Sequence, residues 1–223
     1  IGTLAGLSGF QVHFGSKEIF TPGDSYDVLV AMNAAALKVD LKNLKKGGIV
    51  IANSAGFDAK NIKLAEYVDG AKPLEDGTLS NYILYKVDVT KMTKDALEGS
   101  GLGNKDIERS KNMLVLGLLY WMFDKSMDFT ETFINEKFGK KPEIAAANIK
   151  TMKAGYNYGE TAEIFTTRFK VDQAVMPKGV YRNITGNQAS ALGFLAATKK
   201  SGIPLFLGSY PITPASDILH ELS

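Results

Sequence analysis

The sequence predicts an α/β fold in which a mainly parallel sheet is flanked by helices. Two continuous apolar runs, residues 26–32 (YDVLVAM) and 49–52 (IVIA), are typical of strands that are covered on both faces. Residues 34–44 between them have helix-forming composition, so the order is strand, helix, strand. Parallel pairing and a right-handed crossover are the strong default for that order.

Local patterns predict the neighbouring elements. Residues 10–20 alternate apolar and polar around a glycine-containing turn, which predicts a hairpin. Residues 81–89 (NYILYKVDV) predict a third strand, with Thr90 as the cap of the next helix. The pair Gly47 and Gly48 is expected to end the first helix.

The middle of the chain is predicted to be helical. Residues 105–123 predict one long helix whose second half is almost wholly apolar. Its longest apolar run, residues 113–123, is far shorter than the ~20 residues that a membrane span needs, so we expect a buried helix. Asp128 or Thr130 is expected to cap the following helix, and Pro142 to start another.

Composition and charge exclude several classes of protein. The chain is 45% hydrophobic and 22% charged, which is ordinary for a globular protein. The net charge of +2, with scattered basic pairs, argues against a nucleic-acid surface. Because there is no cysteine, the chain itself offers no disulfide, thiolate nucleophile or ligand for an iron–sulfur cluster. This composition agrees with a cytoplasmic protein, which we expect.

A change of character divides the chain. Residues 171–185 carry proline and glycine and lack a helical period. We therefore predict a first domain of residues 1–176, a linker of residues 177–185 and a second domain of residues 186–223. We also expect the chain, which starts without methionine, to be a fragment of a longer polypeptide.

A turn in the second domain is the strongest candidate for a site. A short strand is predicted at residues 205–207, Pro211 and Pro214 stiffen the backbone around Thr213, and a helix is predicted from Ala215. Such a turn presents a hydroxyl and backbone groups, and a helix N-terminus stabilises anions. The alternative is a rigid connection without a ligand, which the spacing alone favours.

Other candidates are weaker. Asn33 and Ser54 follow two predicted parallel strands, and ligands of open α/β sheets bind outside the carboxyl ends of strands. The alternative is that each caps a helix or turn. His13 and His220 have no partner at a spacing diagnostic of catalysis or metal binding, and we predict no metal ligand in this chain. No G-x-G-x-x-G fingerprint follows a predicted strand, which argues against a dinucleotide-binding protein.

Two motifs carry a family resemblance. Residues 186–193 (GNQASALG), followed by residues 208–216 (GSYPITPAS), resemble the start of the alpha subunit of 2-oxoacid:ferredoxin (acceptor) oxidoreductases, which use thiamine diphosphate. The part before residue 176 resembles the gamma domain of the same enzymes, most clearly at residues 8–37, 107–117 and 145–156. A gamma domain fused ahead of an alpha domain occurs in that family.

The resemblance implies oxidative decarboxylation of a 2-oxoacid to the acyl-CoA, with electrons passed to ferredoxin. It implies that Thr213 lies near the substrate and the thiazolium, and that Tyr210, Pro211 and Ile212 line the same pocket. Because fused gamma–alpha chains most often accompany 2-oxoglutarate enzymes, we expect that substrate. Pyruvate and branched-chain 2-oxoacids stay open.

The resemblance also implies a division of labour. Thiamine diphosphate with Mg²⁺ is shared with a beta subunit, which holds the iron–sulfur clusters, so the chain is expected to act in a hetero-oligomer and to be inactive alone. The remaining part of the alpha pyrimidine-binding domain is expected to lie outside this sequence. The gamma domain is associated with coenzyme A access, for which Asn33 and Ser54 are the candidates. The alternative is that it only holds subunits together.

Overall fold

The computed structural model describes residues 7–210 and 212–223, and the chain divides into two compact units, Ile1–Val175 and Met176–Ser223. The strands described in the first unit are β1 (Tyr26–Ala31), β2 (Leu44–Asn53) and β3 (Ile83–Val87). Its helices are α1 (Ala34–Asp40), α2 (Ala59–Leu64), α3 (Val89–Ala96), α4 (Asn104–Arg109), α5 (Lys111–Met122), α6 (Asp128–Lys137) and α7 (Pro142–Thr161). The second unit holds α8 (Gly186–Ser201) and α9 (Ser216–Leu222).

The strands form a parallel sheet of order β1-β2-β3. Ala31 lies opposite Ala52, and Ile51 opposite Tyr85, so the carboxyl ends of the strands meet at one edge. Val50 and Ile51 point to opposite faces and are both fully buried. Helices therefore cover both faces, and the predicted α/β fold with a parallel sheet is confirmed.

A glycine pair lies inside β2, so the prediction that it ends the first helix is wrong. α1 ends at Asp40, and a 3-10 turn, Leu41–Asn43, leads into the strand. Gly47 has a φ of +77°, and a Cβ on Gly48 would lie 2.7 Å from a backbone carbonyl oxygen. The glycines thus allow an irregular start of β2, because a side chain would strain the backbone at Gly47 and would lack space at Gly48.

The hairpin predicted at residues 10–20 is wrong, since no strand is found there. The segment is held by side chains instead. Gln11 Nε2 donates to the Pro22 carbonyl oxygen at 2.9 Å, and His13 Nδ1 lies 2.8 Å from the carbonyl oxygen of Thr21. Most of its apolar side chains are exposed, and a two-stranded hairpin without a buried face is only marginally stable.

The cap of α3 also differs from the expectation. The third strand is shorter than residues 81–89, and Asp88, which directly follows it, caps the helix by accepting from Lys91 N at 2.9 Å. Thr90 lies within the first turn and is not the cap. A carboxylate accepts the helix's free N–H groups better than a hydroxyl that is already inside the turn.

Residues 105–123 form two helices rather than one, because α4 and α5 are separated at Ser110. The Ser110 hydroxyl donates back to the Asp106 carbonyl oxygen at 3.1 Å, a bond that bends helices. The next helix starts at Asp128, and Met127 is its capping residue, so neither Asp128 nor Thr130 is the cap.

α5 lies in the core of the first unit, where it packs against β2, β3 and α7. Leu114, Leu118 and Met122 of α5 are fully buried, which confirms the prediction of a buried apolar helix. Gly117 and Gly155 let the two backbones touch, since a Cβ on either would lie 1.8 Å from a carbonyl oxygen of the other helix. Among the residues that the structure describes, no helix combines the length and apolarity needed to cross a bilayer.

The second unit contains a pair of helices. Thr185 and Gln188 form a capping box at the start of α8, and Gly202 with a φ of +70° ends it. The strand predicted at residues 205–207 is not formed, because no strand of this unit's described part offers it backbone partners. α9 begins at Ser216, with Ala215 as its capping residue.

Candidate functional site

The turn before α9 presents the candidate catalytic hydroxyl. Thr213 is exposed, is joined to Pro214 by a cis peptide bond, and makes no hydrogen bond through its hydroxyl to the residues that the structure describes. Tyr210 and Ile212 next to it are 77% and 57% exposed. Pro211, which the family resemblance also assigns to the substrate pocket, lies outside the described residues. The turn therefore offers an exposed hydroxyl that follows two exposed side chains, Tyr210 and Ile212.

The first turn of α8 holds this turn. Asn187 Nδ2 donates to the Pro214 carbonyl oxygen at 2.9 Å, and the same oxygen accepts from Asp217 N at 3.1 Å. One residue further along α8, Gln188 Nε2 donates to Glu221 Oε1 at 2.9 Å. The motif of residues 186–193, which forms the first half of α8, is thus hydrogen-bonded to the motif of residues 208–216.

The N-terminus of α9 already carries a negative charge. The helix has 7 residues, and its first turn already carries the carboxylate of Asp217. That negative charge is favourable next to the helix dipole and repels a further anion. The sequence-based expectation that this helix start attracts an anionic ligand stays a prediction, as does the role of the Thr213 hydroxyl.

Asn33 and Ser54 lie where the topology placed them, just beyond the ends of β1 and β2. Asn33 caps α1, with its Oδ1 accepting from Ala36 N at 2.9 Å. Ser54 is exposed and begins the 3-10 turn Ser54–Phe57. Asn33 thus has the capping role that was the alternative to ligand binding, whereas the Ser54 side chain forms no cap.

Asn53 is the polar residue at this edge that the sequence analysis missed. It is 3% exposed, and its Nδ2 lies 3.3 Å both from the Met32 carbonyl oxygen and from Thr90 Oγ1. Its Oδ1 has no partner among the described residues. An asparagine directly after the apolar run of residues 49–52 was the available signal. A Cβ on Gly56 would lie 2.2 Å from the same Met32 oxygen, so protein backbone fills the space beside Asn53.

Comparisons with known proteins place the chain. The sequence model of a family described as pyruvate ferredoxin/flavodoxin oxidoreductase matches residues 5–158. The chain belongs to this family. The match ends in α7, so it covers most of the first unit and none of the second.

A relative extends the likeness over both units of the oxidoreductase chain. The 2-oxoglutarate oxidoreductase subunit KorA of Mycobacterium tuberculosis is 51% identical over 222 residues, which cover 100% of this chain and 34% of the relative. The suspected family resemblance is thereby confirmed. The chain spans about a third of the length of that curated subunit.

A solved structure shows the same fold. It is the 2-oxoglutarate:ferredoxin oxidoreductase from Magnetococcus marinus with 2-oxoglutarate, coenzyme A and succinyl-CoA bound. The match has a TM-score of 0.64 at 24% sequence identity and covers 93% of this chain and 31% of the other. At this identity the likeness concerns the α/β fold of the oxidoreductase.

Proposed function

We propose that the chain is part of an enzyme that oxidatively decarboxylates 2-oxoglutarate to the acyl-CoA and passes the electrons to ferredoxin. The single observation that carries the proposal is the 51% identity, over the whole chain, to a 2-oxoglutarate oxidoreductase subunit. In this reaction the bond to the carboxylate carbon breaks, carbon dioxide leaves, and coenzyme A takes the acyl group. The electrons released go one at a time to iron–sulfur clusters and then to ferredoxin.

We assign the residues of the Thr213 turn to one wall of the site in which the 2-oxoacid reacts. Thiamine diphosphate with Mg²⁺, when bound, supplies the carbanion chemistry, while protein groups orient and stabilise charge. Thr213 offers its exposed hydroxyl as a donor to the carboxylate of the 2-oxoacid or to the charge that develops on it. Tyr210, Pro211 and Ile212 would form the apolar side of the wall. The diphosphate, the metal and the clusters are assigned to a beta subunit, in keeping with the absence of cysteine here.

The chain acts within a larger assembly. α8 is apolar on several sides, yet Ala191 is its one buried residue among those described, while Leu192 and Leu195 are 55% and 47% exposed. Phe206 is 91% exposed. Exposed apolar surface of this kind marks a contact with further protein. We propose that these exposed apolar side chains contact the rest of an alpha pyrimidine-binding domain and the beta subunit of a cytoplasmic hetero-oligomer.

The proposed domains follow from the family resemblance. Residues 1–176 would be the gamma domain, residues 177–185 the linker, and residues 186–223 the beginning of the alpha domain. At the sheet edge, Asn33 and Ser54 are the candidates for contact with coenzyme A. The alternative is a second role, in which the gamma domain only holds subunits together.

Substrate competition in the complete complex tests the proposal. The purified assembly, supplied with coenzyme A and oxidised ferredoxin, would be assayed with 2-oxoglutarate, pyruvate and a branched-chain 2-oxoacid. We expect the highest kcat/KM for 2-oxoglutarate, and no ferredoxin reduction when coenzyme A is withheld. A preference for pyruvate would assign the chain to another substrate, and loss of all 2-oxoacid activity would overturn the proposed reaction.

A variant at the sheet edge distinguishes contact with coenzyme A from a purely assembly role of the gamma domain. Ser54→Ala removes an exposed hydroxyl without touching a cap. A higher KM for coenzyme A, with unchanged subunit association, would support contact with coenzyme A. Unchanged kinetics would favour the assembly role.

A further inference from the structure

We propose that Asn187 is the positioning residue of the Thr213 turn: its side-chain amide fixes the backbone that carries the hydroxyl. This inference rests on the proposed function, in which Thr213 faces the 2-oxoacid. Asn187 itself contacts the turn and not the substrate. Its role would therefore be to act through Thr213.

The geometry of the Pro214 carbonyl group carries the argument. Its oxygen accepts from Asn187 Nδ2 at 2.9 Å and from Asp217 N at 3.1 Å. A carbonyl oxygen has two acceptor lone pairs, so both are used and the orientation of this peptide group is set from two directions. Asn187 Nδ2 also lies 3.5 Å from Asp217 Oδ2. Thr213 is the residue immediately before the carbonyl that is held.

Asn187 is itself held in place before any ligand binds. It lies in the first turn of α8, between the two members of the Thr185–Gln188 capping box. Gln188 adds a bond from the same turn to Glu221 near the end of α9. The amide of Asn187 is half-buried, while the turn that it holds is exposed. An anchored donor that reaches across to an otherwise exposed turn is the arrangement by which a scaffold sets the position of a loop.

The rate of the reaction depends on the position of the Thr213 hydroxyl. A reacting or stabilising group that is displaced by about 1 Å can cost up to ~100-fold in rate. The Thr213 hydroxyl has no hydrogen bond of its own to the described residues, so its position depends on the backbone on either side. Without Asn187, the Pro214 oxygen keeps the bond from Asp217 N but loses its second donor, and the hydroxyl is less well placed.

The test uses the complete enzyme complex and the variant Asn187→Asp. This change keeps the shape of the side chain, removes both N–H donors and places a carboxylate beside Asp217. The matched control is Asn183→Asp, the same amide-to-carboxylate change at an exposed residue that precedes α8. Asn187→Ser, which removes the reach of the donor without adding charge, serves if Asn187→Asp does not assemble.

Two measurements are made on each variant. Hydrogen exchange is followed in the peptide of residues 209–219, and kcat and KM are measured for the 2-oxoacid. For Asn187→Asp we expect faster exchange in that peptide and kcat reduced by about 10-fold or more, with KM changed much less. The control should leave both quantities near those of the unchanged complex.

A double variant shows whether Asn187 acts through Thr213 or whether its replacement disturbs the enzyme in general. If Asn187 acts through Thr213, adding Asn187→Asp to Thr213→Val should cause little further loss of kcat. Unchanged exchange in residues 209–219, or losses that multiply in the double variant, would overturn the inference. Faster exchange with unchanged kcat would keep Asn187 as the anchor of the turn and would instead overturn the role proposed for Thr213.

Discussion

Gly155 of α7 lies directly against the backbone of Leu114 in α5, and a Cβ added to the glycine would be 1.8 Å from the Leu114 carbonyl oxygen. Gly117 of α5 has the reciprocal contact with Met152 of α7 at the same distance. The backbones of the two helices are therefore in direct contact at this crossing, with no side chain between them. Neither position can accept a side chain unless the helices move apart.

Replacement of this glycine should be strongly destabilising. For Gly155→Ala we expect a loss of about 3 kcal/mol or more in the free energy of unfolding, the upper part of the range for overpacked cores. The measurement is urea unfolding of the chain followed by circular dichroism. Gly193→Ala in α8 is the control, because nothing lies within 4 Å of its added Cβ. There the better helix propensity of alanine should be neutral or favourable by up to about 1 kcal/mol.

The phenol of Tyr26 should make stability depend on pH in the alkaline range. Burial, and then the nearby charge of Asp40, raise the pKa of Tyr26 from 10.0 to about 12. Its hydroxyl donates to the Asp40 carbonyl oxygen. Because the folded state holds the proton more tightly than the unfolded chain, this contribution is complete below pH 10 and is lost as the pH rises from about 10 towards 12.

The variant Tyr26→Phe isolates that contribution. It should lower the free energy of unfolding at neutral pH by about 1 kcal/mol through loss of the hydrogen bond. Between pH 10 and pH 12 the difference between the two proteins should shrink, since Phe has no proton to lose. The quantity to measure is the midpoint of urea unfolding at several pH values. A constant difference up to pH 12 would contradict the assignment to Tyr26.

Thr213 should matter for turnover and not for folding. Thr213→Val keeps the shape and removes the donor, and the loss of one such donor typically costs ~10²–10³ in rate. In the complete complex we expect kcat/KM for the 2-oxoacid to fall at least about tenfold. Thermal unfolding should be unchanged, because the side chain is exposed.

Ser209→Ala is the matched control for Thr213→Val, since it removes a neighbouring exposed hydroxyl from the same motif. Its turnover should match that of the unchanged complex. Near-normal turnover of Thr213→Val as well would make Thr213 a structural residue of the turn.

The chain alone should not bind thiamine diphosphate. It contributes one wall of the proposed site, and the groups that hold the diphosphate and Mg²⁺ are assigned to the partner subunit. Calorimetry of the 223-residue chain with cofactor and Mg²⁺ should show no saturable heat, while the complete complex should bind. Micromolar binding by the chain alone would refute the division of labour between subunits.

Much of the first unit could be predicted because its signals are local. The apolar runs of β1 and β2, with a helix between them, indicate a parallel sheet whatever the rest of the chain does. Asn33 was placed correctly at the sheet edge by the same topology, but its capping of α1 became visible only in the structure. Local sequence does not show which of its possible partners a polar side chain takes.

The two failed strand predictions share a physical cause, which is that a strand needs a partner outside its own segment. Residues 10–14 have a strand pattern, but side-chain bonds to residues 21–23 replace a ladder. Residues 205–207 have the composition of a strand and no neighbour to pair with among the described residues of their unit. A strand exists only with its partner, whereas a helix satisfies its own backbone.

The sequence by itself determined the family, the parallel α/β sheet, the buried α5 and the motif that presents Thr213. These follow from short-range patterns of apolar residues, prolines and glycines. The tertiary structure alone decided the backbone contact of α5 with α7 and the bond from Asn187 to Pro214, whose residues are 27 positions apart. Such contacts depend on the distance between two elements once they have packed, and no local pattern of residues specifies that distance.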